Sequence, residues 1–133
     1  MMKVWTKLAL MCVLSSVAMA NTTTLLETMR DMENGLSNVQ KGFLYNNPVL
    51  IKEGVDAIHA ANALFNNMDE TKRFLPREKQ HLSNVALNAS KRINTASTNL
   101  LKAVEKKQFS KASQSYSELV NACTACHGVV RGW

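Results

Sequence analysis

The chain has 133 residues, with 16 basic and 10 acidic side chains and a formal charge of +6. This length suits a single domain with one hydrophobic core. The charge is mild and the basic residues are scattered along the chain, so nothing beyond the sign of the charge supports binding to nucleic acid. A slightly basic face is compatible with an acidic protein partner, but a plain solvated surface is the simpler interpretation.

The first twenty residues have the pattern of an export signal. Two lysines precede an apolar run at 8–17, and a small-x-small cleavage pattern occupies 18–20. The apolar run is well short of the roughly 20 residues that cross a bilayer. We therefore expect 1–20 to be a cleaved signal peptide, and 21–133 to be a periplasmic domain without a membrane span. Cys12 would leave with the signal peptide.

The next two segments are predicted to be helices joined by a turn. From Thr22 to about Leu44, apolar residues recur at steps of three and four, which is the spacing of an amphipathic helix. The stretch "YNNP" at 45–48 indicates a turn, and Pro48 suits the first position of a helix. We expect this second helix to run to about Met68.

Two further helices are predicted in the remaining half. The stretch 69–76 breaks the pattern, Pro76 can begin a third helix, and "KKQF" is a short connection before Ser110, a suitable N-cap for the last helix. No segment alternates with period two over a useful length, so strands are not expected. Four such helices with short connections predict an all-α fold, an up-down-up-down antiparallel four-helix bundle.

The last helix contains "CTACH", in which two cysteines three positions apart precede a histidine. Their sulfurs lie on one helix face, and a disulfide across so short a loop would add little stability. Zinc would need a second ligand pair, and a redox dithiol is expected at a helix N-terminus, whereas the dipole at a C-terminal end would raise the thiol pKa. Covalent haem attachment uses all three residues. The sequence thus predicts one haem c bonded to Cys123 and Cys126, near the C-terminal end of helix four, with His127 as proximal iron ligand.

These residues, with the helix layout, resemble the cytochrome c-prime family, in which an arginine follows the histidine by four residues, as Arg131 does here. Val130 stands where many relatives carry an aromatic residue. The resemblance implies two branches: low-spin members place a first-helix methionine on the iron and carry electrons, while high-spin members keep the distal face open and bind small gases. It also allows a homodimer through the first two helices. Arg131 is a candidate contact for a haem propionate.

Met29 is the predicted distal iron ligand, with Met32 in reserve. The stretch "LLETMRDMENGLSNVQKG" is similar to the start of the related four-helix b-type cytochrome, with Met29 on its ligand methionine. In such a bundle the first and fourth helices are antiparallel neighbours, so Met29 lies near the level of His127. Without a haem, both methionines would be ordinary core residues. His81, which flanks its helix's apolar stripe, is the rival from another residue class.

The predicted function is that of a periplasmic c-type cytochrome carrying single electrons to redox partner proteins, and the chain is not expected to be an enzyme. The alternative is a five-coordinate cytochrome c-prime that binds NO or CO. A peroxidase-like enzyme would need a distal acid/base pair, for which only His81 with a nearby arginine is available. His59 is interpreted as structural or surface, and Trp133 as a cap on the bundle end or a shield for the haem edge.

Overall fold

The computed structural model describes residues 24–132, so the expected signal peptide and Trp133 lie outside the described range. Every regular element within 24–132 is helical, which confirms the all-α class. There are five α-helices in this range: α1 (24–44), α2 (Pro48–Asn62), α3 (Met68–Phe74), α4 (Ser83–Glu105) and α5 (Phe109–His127). Short 3-10 helices occupy Ala63–Phe65 and Arg77–Leu82, and a π-helical turn occupies Gly128–Gly132.

The turn between α1 and α2 forms as predicted. Asn46 adopts a left-handed conformation with φ of 53°, which reverses the chain after α1. The Asn47 side chain then accepts hydrogen bonds from the backbone N–H groups of Val49 and Leu50, each at 3.1 Å. Pro48 follows as the first residue of α2, where a missing N–H donor has no consequence. An N-cap with a proline behind it thus fixes the start of α2.

The prediction that the second helix reaches Met68 is wrong. The α-helix ends at Asn62, a 3-10 turn follows, and a separate helix, α3, begins at Met68. Asn67 caps this helix, since its side chain accepts a hydrogen bond of 3.0 Å from the N–H of Glu70. Two acidic residues in the first turn and two basic ones in the last turn complement the helix dipole. The stretch interpreted as a break in the pattern is therefore a short helix.

The starts of the last two long helices also differ in detail from the prediction. Pro76 precedes a 3-10 helix at Arg77–Leu82, and α4 begins only at Ser83. The last helix begins at Phe109, so Ser110 lies inside it and is not its N-cap. These shifts do not alter the order of the long helices.

Three glycines bring α1 and α2 into close contact. A Cβ atom on Gly54 would lie 2.5 Å from the carbonyl oxygen of Gly35, and one on Gly42 would lie 2.5 Å from a side-chain carbon of Ile51. A later position on α1 thus meets an earlier position on α2, so the two helices run antiparallel. At these sites the backbones approach closely because there is no side chain between them.

Polar side chains join α2 to α4. His59 Nε2 lies 2.6 Å from Ser97 Oγ, and buried Asn62 donates to the Ser90 carbonyl oxygen at 3.0 Å and to Asn94 Oδ1 at 2.9 Å. The order of these contacts shows that α2 and α4 also run antiparallel. α4 packs against α5 as well, after a turn in which Lys107 has φ of 56°.

One hydrophobic core connects the four long helices. Its fully or nearly fully buried members come from α1, α2, α4 and α5: Val39, Ile51, Val55, Ile58, Ile93, Ala96, Leu100, Ala103, Val104, Ala112, Leu119 and Ala122. Among the helices of 24–132, none combines the length and the apolar character that crossing a bilayer requires.

Candidate functional site

The end of α5 presents the two cysteines together. Cys123 and Cys126 lie one turn apart near the C-terminal end of the helix, and both are half-buried free thiols. Residues at i and i+3 of a helix share a face, so a single ligand lying along that face can reach both sulfurs. The face of α5 that carries the two cysteines is thus only partly covered by the rest of the fold at its C-terminal end.

His127 is the last residue of α5 and is half-buried. Burial lowers the pKa of its imidazole, and the charge of Arg131 lowers that pKa further. A lowered pKa favours the neutral ring, which is the form that binds a metal ion through a ring nitrogen. The local electrostatics therefore suit His127 as a metal ligand.

The same surroundings do not suit a redox dithiol. Burial raises the pKa of the Cys123 thiol, with a further increase from neighbouring Cys126, and burial also raises the pKa of Cys126. A raised pKa suppresses the thiolate that performs disulfide exchange. The direction agrees with the sequence-based expectation, but the leading cause is burial and not the helix dipole.

A second part of the chain lies beside the end of α5. The 3-10 helix Arg77–Leu82 contacts the π turn Gly128–Gly132, so the segment that carries His81 adjoins the turn that carries Arg131. Both of these side chains are exposed. The segment that carries His81 therefore lies beside the candidate site. A residue that competes with Met29 as distal ligand would have to lie there.

The two candidate methionines differ in their packing. Both are half-buried on α1, but Met32 packs against the hydrophobic core, as Cys123 does. Met29 does not belong to the set of partly buried apolar side chains that pack against that core. Met32 thus has a packing role in the fold.

The donor set fits a covalently attached haem better than a metal ion held by side chains alone. Within 24–132, no three His, Cys, Asp or Glu side chains form a group that could hold a metal ion. A porphyrin needs less from the protein, because it brings four of the iron's ligands itself. Two free thiols on one helix face, followed at once by an imidazole, match the attachment chemistry of a c-type haem.

The sequence pattern does not predict the polar network between α2 and α4. This network contains His59, which the sequence leaves as either structural or surface and which contacts Ser97, and Asn62, whose Oδ1 atom is buried without a hydrogen-bond partner. Spacing within one helix could not reveal it, because the residues involved are brought together only by the packing of α2 against α4.

Comparison of the chain with protein-family models, with curated proteins and with solved structures gave no match. The residues at the end of α5 therefore carry the functional interpretation.

Proposed function

We propose that this chain is a periplasmic c-type cytochrome that carries single electrons and is not an enzyme. The observation that carries the proposal is the pair of half-buried free thiols, Cys123 and Cys126, a turn apart and directly followed by His127. The signal-peptide pattern at the start of the chain supports export to the compartment where such haems are attached.

The proposed architecture is an up-down-up-down four-helix bundle of the cytochrome c-prime type. The antiparallel contacts of α1 with α2 and of α2 with α4 support it, as does the packing of α4 on α5 across a short connection. In this arrangement α3 is an insertion in the connection between the second and third bundle helices.

In the proposed site each residue has a separate task. Cys123 and Cys126 would hold the porphyrin through thioether bonds, and His127 would supply its neutral imidazole to the iron. The bound haem supplies a one-electron ferric/ferrous couple. Arg131, exposed on the turn after His127, would pair with a propionate.

Met29 is the proposed distal ligand, with Met32 in reserve. The packing of Met32 against the core supports this order, because a side chain committed to the core is less free to reach a ligand position. A thioether sulfur at this position stabilises the ferrous state more than a second imidazole would. A methionine ligand therefore favours electron transfer at a higher potential and leaves no position open for a substrate.

The competing function is gas binding by a five-coordinate iron. In that case Met29 would be only a neighbouring side chain and NO or CO would occupy the distal position. The two functions require the same fold and the same Cys123, Cys126 and His127, so only the state of the distal face separates them.

The test begins with protein purified from the native cell envelope. Its intact mass, and the mass of the peptide containing Cys123 and Cys126, should include one covalently bound haem, and the Cys123→Ala/Cys126→Ala variant should lack it. An intact mass equal to that of the bare chain with a disulfide would contradict the proposal. A low-spin spectrum that CO does not change supports the electron carrier, whereas ready CO binding by the unmodified protein supports the gas-binding alternative.

A further inference from the structure

The end of the molecule opposite the cysteines exposes large apolar side chains. At the α1–α2 turn, Leu44 is 74 % exposed, Tyr45 71 % and Val49 64 %, and Phe109 at the start of α5 is 46 % exposed. Phe109 lines a cavity of about 150 Å³ together with residues of the α1–α2 turn. The α1–α2 turn and the turn between α4 and α5 therefore lie side by side. The exposed apolar side chains thus lie at the same end of the molecule.

Lysines are concentrated at the same end of the molecule. The segments 41–52 and 102–111, which form this end, contain six lysines and one glutamate. The rest of 24–132 contains eight basic and nine acidic residues, so the positive charge of the molecule is concentrated here. All six lysines are exposed, and Lys52 is paired with Asp56 at 2.6 Å.

The lysines also form a groove. A cavity of about 300 Å³ between the end of α4 and the start of α5 is lined by Lys102, Lys106 and Lys111, with Glu118 as the acidic residue on its wall. We name the two segments 41–52 and 102–111 together the lysine-rimmed end. It offers anion-binding side chains immediately beside exposed apolar ones.

We propose that the lysine-rimmed end docks on an anionic phospholipid bilayer. A bilayer surface combines negative headgroups with an apolar layer just beneath them, which is the combination this end complements. Tyrosine is also favoured at such interfaces, because its ring is apolar and its hydroxyl polar. The most exposed apolar side chains lie at the tip of the α1–α2 turn. Side chains in this position can insert into a deformable lipid layer more readily than they can fit the surface of a rigid protein.

A second copy of the chain is a poorer occupant of this end. Pairing two such surfaces would bring their lysines together, and like charges that lose water on contact repel strongly. An acidic protein would complement the lysines but would need a concave apolar site to receive Leu44 and Tyr45. Vesicle binding, binding to polyglutamate and self-association distinguish these two occupants from a bilayer.

Docking at this end would hold the candidate haem site away from the surface. Phe109 and His127 are the first and last residues of α5, and 18 helical steps span about 27 Å. The cysteines and His127 would then face the surrounding solution. The docking proposal does not depend on the presence of a haem, so it stands or fails separately from the proposed function.

The test uses the purified mature protein and vesicles. Vesicles of equal parts phosphatidylglycerol and phosphatidylcholine should bind it in a sedimentation assay at low salt, and phosphatidylcholine vesicles should bind it at least tenfold more weakly. Each lysine near an anionic surface strengthens binding about fivefold, so Lys106→Gln/Lys107→Gln should weaken binding by roughly 25-fold. The matched control is Lys91→Gln/Arg92→Gln, which removes the same charge from an exposed pair elsewhere on α4 and should change binding less than threefold.

A second pair of variants tests the apolar contribution. Leu44→Ser/Tyr45→Ser should weaken vesicle binding at least fivefold, whereas Leu26→Ser, on a residue 50 % exposed on α1, should not. Circular dichroism establishes that each variant is folded. Equal losses for the two charge-pair variants, or no binding to the anionic vesicles, would overturn the proposal. So would lysine-dependent binding to immobilised polyglutamate without vesicle binding, or self-association that Leu44→Ser/Tyr45→Ser abolishes.

Discussion

At the scale of single residues, the contrast between Met29 and Met32 gives the sharpest prediction. Met29→Ala should turn the haem spectrum high-spin and open the iron to CO, because it removes the proposed distal sulfur. Met32→Ala should keep the low-spin spectrum but lower the free energy of unfolding by roughly 1–3 kcal/mol, less than a fully buried methionine because Met32 is only half-buried. Visible spectra with and without CO, and urea unfolding, measure both effects.

His81→Ala is the control for this experiment. Its segment contacts the turn after His127, but the side chain is exposed, so its removal should leave the spectrum low-spin. A high-spin spectrum for His81→Ala would assign the distal position to this histidine, and one for Met32→Ala would assign it to Met32.

A second prediction at the residue scale concerns the two thiols in the chain without bound haem. Burial raises the pKa of Cys123 and of Cys126, so the fold holds their protons more tightly than the unfolded chain does. The stability that these two protonated thiols contribute is therefore fully present at a pH below the pKa of a thiol in the unfolded chain. It is lost as the pH rises from the pKa of the unfolded chain through the raised pKa of the folded protein. Urea unfolding of this form should show stability falling across that range, and Cys123→Ala/Cys126→Ala should reduce the fall. An equal fall in the variant would show that other groups cause it.

At the scale of helices, the glycine contact between α1 and α2 is testable. Gly54→Ala would place a Cβ atom 2.5 Å from the Gly35 carbonyl oxygen, so the helices must separate. Alanine alone would favour the helix by about 1 kcal/mol, but overpacking typically destabilises by about 1–3 kcal/mol. We expect a net loss of stability, measured by urea unfolding.

Gly128→Ala is the matched control, because a Cβ atom there would have no atom within 4 Å. It should leave stability unchanged or raise it by up to about 1 kcal/mol. If Gly54→Ala stabilised the protein as much as Gly128→Ala did, the close approach of α1 and α2 would be contradicted.

The same scale shows which elements can be predicted from local sequence. The α1–α2 turn was predicted correctly because Asn47 and Pro48 act on their own neighbours. The apolar spacing does not predict the short helix α3, although Asn67 followed by two acidic residues is typical of the N-terminus of a helix. A seven-residue helix has fewer than two turns, which is too short for the apolar spacing to show a helical period. For α3 the N-cap residue is therefore a better indicator of the helix than the spacing of its apolar residues.

At the scale of the whole molecule, the predictable features are those contiguous in sequence. Cys123, Cys126 and His127 form one short motif, so their chemistry could be proposed from the sequence alone. The proposed distal ligand, in contrast, depends on which residue of a distant helix would face His127. The lysine-rimmed end is likewise hidden in the sequence, because its lysines look scattered until the fold brings the α1–α2 turn and the α4–α5 turn together.

The whole fold should unfold as one unit, because α1, α2, α4 and α5 all contribute to a single core. Leu100 is completely buried in that core, so Leu100→Ala should lower the free energy of unfolding by about 2–5 kcal/mol. Leu44→Ala, at a position 74 % exposed, should change it by less than about 0.5 kcal/mol.

Urea unfolding followed by far-ultraviolet and by near-ultraviolet circular dichroism measures both variants. The two signals should give one coincident transition, since Tyr116, an ordered aromatic side chain for the near-ultraviolet signal, packs against the same core whose helices the far-ultraviolet signal reports. In Leu100→Ala both probes should shift together to lower urea. Separate transitions would mean that α5 unfolds independently of the other helices, and they would contradict a single cooperative core.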